Sequence, residues 1–203
     1  RNILSNLLKK EKMSNKGYFM KKSKPTDIKE AVWLEEQCLR RQGGYNLDQS
    51  NLPASLKWLP KGTVLKLTSN GNAIAVKTAR VTEKAEKSAT TLKIESGSLF
   101  AIGDKIAGST ISAITSENGI DTLTVSALGN AVEAKAVVSD YDKTKDVLLG
   151  FSYDTLDLDK DASIPATPTL QVMEVEEDSL PYPINEEIKL GINAVGIALF
   201  KIQ

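Results

Sequence analysis

The chain has 203 residues, 26 basic and 26 acidic side chains, one cysteine and no histidine. The length suffices for one sizeable core or two small ones. Without histidine there is no His-containing triad, and the commonest general base and metal ligand are both missing. The single Cys38 excludes an intrachain disulfide framework and a cysteine zinc cage, and reads as a small buried apolar group. No apolar run reaches membrane-spanning length and no secretory pattern is visible, so the expectation is a cytosolic protein or one that assembles inside a cell.

The zero net charge is unevenly divided. Residues 1–57 carry about +6 and the remainder about −6, an asymmetry that points to an interaction tail. Lys9, Lys10, Lys12, Lys16, Lys21, Lys22 and Lys24 lie in an arm opposed only by Glu11. The arm suits an acidic protein surface, or it is simply solvated. Without Gly-rich or aromatic interleaving, nucleic acid is disfavoured as its partner. The run "KKEKM" is what a purine-rich ribosome-binding site encodes when read through, so Met13 is the expected natural start.

"PTDIKEAVWLEEQCLRRQGG" predicts an amphipathic helix. Asp27 and Glu30 have capping-box spacing, and Ile28, Ala31, Val32, Leu34, Cys38 and Leu39 recur at helical intervals. Gly43-Gly44 end the helix. Its apolar stripe covers either the chain's own core or a neighbouring subunit, which makes Trp33, Leu34 and Leu39 candidate interface residues.

From "YNLDQSNLPASLKWLPKG" onward the period changes to alternation. "TVLKLTSNGNAIAVK" predicts a hairpin turning at Asn70-Gly71, and "STISAITSENGIDTLTVS" a second one at Asn118-Gly119. Further short strands are expected in "TTLKIE", "LFAIGDKIAG", "EAKAVVS", "VLLGFSYDTLDL", "TLQVMEVE" and "GIALFKIQ". Close spacing with turns between predicts a sandwich or small barrels, not a parallel α/β sheet. Residues 81–140 are rich in Ala, Ser, Thr and Lys, whereas residues 58–80 and 141–203 carry the larger apolar side chains. The expected organisation is therefore an arm and helix over 1–57, a β core of 58–80 with 141–203, and an inserted small β-barrel over 81–140.

"DSLPYPINEEIK" reads as a stiff connector leading to a short helix. Pro181 and Pro183 cannot join a strand ladder. Asn185 with Glu186 and Glu187 reads as an N-cap and acidic first turn. Gly191 is expected to end the helix after a turn or two. Tyr182 is the fourth candidate interface residue, packing a seam either within the chain or between protomers.

Motifs for chemistry fail on inspection. "DLDKDAS" has the alternating acids of a calcium loop, but Ala162 and Pro168 occupy the positions needing Gly and Glu. No Gly-rich run makes a dinucleotide or phosphate loop. The paired acids in "EVEED" and "NEEIK" read as exposed strand ends and a helix start. No catalytic residue, cofactor or metal is expected.

Three stretches carry a resemblance. "LPKGTVLKLTSNGNAIAVKTA" resembles the opening hairpin of the head fibre and head decoration proteins of tailed bacteriophages. "GFSYDTLDLDKDASIPATPTLQVMEV" resembles their middle strands, and "EDSLPYPINEEIKLGI" with "GIALFKI" is similar to the C-terminal segment of the head fibre group. "SATTLKIESGSLFAIGDKI" with "DTLTVSALGNAV" looks like the small β module often inserted in them. The likeness spans about residues 56–203. It implies a non-enzymatic virion protein on the outside of the head, a homotrimer contacting the major capsid protein. The rival expectation is a glycan-binding adhesin or tail-fibre module that meets a host-surface glycan through Trp58, Tyr141, Tyr153 and Tyr182. A carboxylate-based hydrolase is the third.

Overall fold

The computed structural model describes residues 25–159 and 161–201. The basic arm and Met13 lie outside them. The described chain is mainly β, with about 38% strand, 9% helical residues and a curled half-barrel sheet.

Both predicted hairpins form. Val64–Leu67 pairs antiparallel with Ala73–Ala75, and Gly71 turns the chain at φ +80°. Ser109–Glu117 pairs with Ile120–Val125 through Asn118 and Gly119, at φ +50° and +78°. Two successive left-handed residues match the right-handed twist of the flanking strands. Thr91–Glu95 and Lys105–Ile106 complete a four-stranded sheet around this second hairpin.

Three apolar clusters fill the interior. The first gathers Trp33, Val64, Val76, Phe151, Val175 and Ile188, and the third gathers Leu59, Leu65, Ala75, Leu99 and Leu149 among others. The second draws every buried member from residues 79–138, including Leu92, Ile94, Phe100, Ile111 and Leu123. Thr78–Arg80 and Val137–Ser139 pair side by side as a two-stranded stem, through which the chain enters and leaves that region. Leu99 departs from its neighbours and packs in the third cluster, so the loop before Phe100 reaches across.

The Pro-Tyr-Pro connector has a topological reason. Thr169–Glu176 pairs with the closing strand Ile197–Lys201 in parallel, whereas the other paired strands of the described chain run antiparallel, apart from an isolated parallel bridge between Leu47 and Ala73. Parallel neighbours cannot be joined by a tight turn and need a crossover. The turn Glu177–Ser179, the prolines and the helix Glu186–Val195 supply it. Asn185 caps the helix as expected, its Oδ1 accepting from the Ile188 amide at 2.9 Å. Ile188 and Ile192, one turn apart, are buried in the first cluster.

The helix does not stop at Gly191 but runs ten residues to Val195. Gly191 serves close packing instead. A Cβ there would lie 2.7 Å from Leu148 Cδ1 and 2.8 Å from the Tyr141 hydroxyl. The glycine lowers helix propensity by about 1 kcal/mol, and the buried isoleucines on either side outweigh it.

The expected N-terminal amphipathic helix is absent. Residues 25–41 form an extended strap with only a 3-10 turn at Glu35–Gln37 and a short strand at Leu39–Arg40. Burial along it alternates: Ala31 and Trp33 point inward, Val32 and Leu34 outward. Backbone bonds tie it down, from the Ala31 amide to the Lys61 carbonyl at 3.1 Å and from the Glu176 amide to the Val32 carbonyl at 3.3 Å. The Val32 amide donates to Ser179 Oγ at 2.7 Å. These partners come from distant segments and outcompete helix propensity, which is a weak prior. Glu30 bonds Thr155 instead of closing a capping box.

The strap needs Gly62, which sits at φ +89° directly beneath Ala31, where a Cβ would overlap the Ala31 methyl. Gly62→Ala combines backbone strain with a steric conflict and is expected to destabilise the protein by about 2 kcal/mol or more. Thermal denaturation checks this, with amide exchange at Ala31 and Val32 accelerating more than in the stem.

Candidate functional site

The structure separates the four candidate interface residues. Trp33 is 6% exposed and stacks at a tilt on Phe151 with ring centroids 6.1 Å apart, inside the chain's own core. Leu34 and Leu39 face outward, 47% and 53% exposed, along the strap with Val32. Tyr182 is half-buried against the third cluster. One strap therefore offers an inner anchor and an outer apolar row.

Charged and aromatic groups staple the strap. Lys61 pairs with Glu35 and places Nζ 4.4 Å over the Trp33 ring, while the Arg40 guanidinium lies 4.7 Å over the Tyr153 ring. Burial works to raise the Glu35 carboxyl, but hydrogen bonds from Lys61 and Tyr153 outweigh it and hold its pKa below the usual carboxylate value. The bond to Glu35, aided by burial, raises the Tyr153 phenol in turn. Cys38 is half-buried, and burial followed by the nearby Glu35 charge pushes its thiol up to about 11. It is protonated at neutral pH and a poor nucleophile. Arg41 donates from Nη2 to the Val195 carbonyl at 2.7 Å and from Nε to the Leu149 carbonyl at 3.2 Å, placing a cation at the helix C-terminus.

A second polar group escaped sequence reasoning. Lys77, 1% exposed, sits at the root of the stem, with Nζ 2.5 Å from Asp104 Oδ2. Its backbone amide donates to Asp140 Oδ1 at 2.8 Å, and Lys66 lies 3.4 Å from Asp140 Oδ2 and 2.9 Å from Asp146 Oδ2. Burial raises the Asp140 carboxyl, with the Lys66 charge opposing. The visible signal was a lysine interrupting the apolar run "AIAVKTA"; alternation alone assigns it to a face without saying that both faces are covered.

The third feature is a groove of about 420 Å³ between the start of the strap, residues 55–60 and Pro181-Tyr182. Trp58 and Tyr182 line it together with Lys29 and Lys57. Trp58 is positioned by the ladder of Trp58–Leu59 with Leu156–Asp157. Burial alone raises the Tyr182 phenol to about 12. Of the four aromatics expected in a glycan cluster only these two meet. Tyr153 lies by Arg40 and Tyr141 by Gly191. The strand-poor run "SLKWLPKG" hid the groove, because its opposite wall comes from the Pro-Tyr-Pro connector more than a hundred residues later.

Among the described residues no three His, Cys, Asp or Glu side chains are placed to hold a metal ion. No described helix is long and apolar enough to cross a membrane. Compared with known protein families, curated proteins and solved structures, the chain has no match.

Two outcomes follow from the geometry. Lys77→Met leaves the Asp104 carboxylate without its cation and is expected to cost about 2–4 kcal/mol, read by denaturant unfolding, with Lys77→Met/Asp104→Asn recovering part of the loss. Because the folded-state pKa of Glu35 is lowered, its contribution is present above the unfolded carboxylate value and is lost as pH falls through the folded one. The gap in melting temperature between the native chain and Glu35→Gln should therefore shrink between neutral pH and about pH 3.

Proposed function

We propose that this chain is a non-enzymatic virion structural protein, a head fibre or capsid decoration protein bound to the outside of a tailed-phage head. The resemblance over residues 56–203 supports this reading, and the observation that carries it is the strap. Its inner face is locked by Trp33, and its outer face presents Val32, Leu34 and Leu39 in a row. At Pro25 it continues into a sequence dense in lysine. An apolar row beside a basic arm suits a larger acidic protein surface, here the major capsid protein. In this reading residues 58–80 and 141–203 form the core, residues 81–140 an inserted small barrel, and three copies assemble about a threefold site.

Glycan binding is the second reading, favoured by the meeting of Trp58 and Tyr182 in one groove.

Co-sedimentation with heads that lack the protein tests the first reading. Saturable binding is expected, weaker at 0.5 M salt than at 0.05 M because the charge contribution is screened. Leu34→Asp/Leu39→Asp should reduce it at least tenfold. Absence of head binding at low salt overturns the reading.

A further inference from the structure

We propose that the groove beside Trp58 and Tyr182 is a binding site for an acidic saccharide, a short chain of sugars bearing carboxylates. This takes the second reading to a named site and rests on it. The groove's volume, about 420 Å³, falls within the roughly 300–1,000 Å³ of small-molecule sites. Its walls combine two aromatic rings with Pro60 and Pro181, so part of the surface is flat and apolar. The C–H face of a pyranose packs on such a surface while its hydroxyls stay free for polar partners, as an amphipathic ring site requires.

The polar groups at the rim set the class of sugar. Lys29 and Lys57 are exposed, and neither has a carboxylate within ion-pair distance among the described residues. Many other described lysines are paired, among them Lys61, Lys66, Lys77, Lys84, Lys93 and Lys189. Two free ammonium groups facing one groove attract an anion. Asp27 and Ser55 supply acceptors for sugar hydroxyls at the same rim. Tyr182 also lines the groove, and its phenol stays protonated at neutral pH because burial raises it.

The groove reports on itself, since the other tryptophan, Trp33, is buried against Phe151. Titrating the full chain with trigalacturonate is expected to quench tryptophan fluorescence saturably. The apparent Kd should rise about tenfold in Lys29→Ala/Lys57→Ala and severalfold between 0.05 and 0.5 M NaCl. In Trp58→Leu, with an unchanged melting temperature as the folding control, calorimetry should show the binding heat lost. If Trp58→Leu does not fold, the lysine double variant carries the test. Equal affinity for neutral maltotriose overturns the acidic class but leaves glycan binding standing. Calorimetric binding that survives both variants overturns the site and again leaves glycan binding standing. No binding of either sugar up to 10 mM overturns both. Retained head binding in the lysine variant separates this result from the virion reading.

Discussion

Lys77 occupies the point on which the packing turns. The run from Ala73 to Val81 contributes to all three apolar clusters in sequence: Ala73 and Ala75 to the third, Val76 to the first, Ala79 and Val81 to the second. Lys77 lies where the run changes allegiance, and its ammonium is out of water. Burying it is tolerable only because Asp104 meets it from the second region. Its own amide meanwhile holds Asp140 at the return end of the stem. Such pairs contribute little net stability against an apolar alternative, because desolvation opposes attraction. What Lys77 supplies is position: a misregistered stem would strand a buried charge. With the stem in register, Leu99 of the loop over 96–100 packs in the third cluster.

The same logic recurs at the surface. The strap is an extended segment whose inner side chains meet distant partners, with Glu35, Lys61, Trp33, Arg40 and Tyr153 clamping it in a row of charged and aromatic contacts. The helix of the crossover is likewise fixed at both ends, by the Asn185 cap and by Arg41 on the Val195 carbonyl. Both devices leave an outer face at liberty for contact. The strap presents an apolar row, and the connector contributes a ring to a groove that the strap closes from the other side.

The proposed surface role and the proposed saccharide site do not compete for the same residues. The apolar row and the groove share the strap but use different stretches of it: residues 32–39 for the row, residues 25–29 for the groove. The charged interior does not compete with either, since Lys66, Lys77, Asp104, Asp140 and Asp146 satisfy one another at the root of the stem.

The sequence by itself determined the features that are local in the chain. Gly71 and the Asn118-Gly119 pair turn their hairpins through left-handed backbone that few other residues adopt without strain, and Asn185 caps a helix through a bond three residues away. The β-rich class followed from alternation. Tertiary structure alone decided the strap, the parallel closing pair, the length of the last helix and the groove. In "IKEAVWLEE" the apolar spacing fits a helix and a strand equally, and Phe151, Gly62 and Ser179, all far along the chain, select the extended form. Gly191 signalled a helix end by propensity, yet its role is set by Leu148 and Tyr141 pressing on it. Short-range geometry is written in neighbouring residues, whereas the choice between near-equal local states belongs to whatever packs against them.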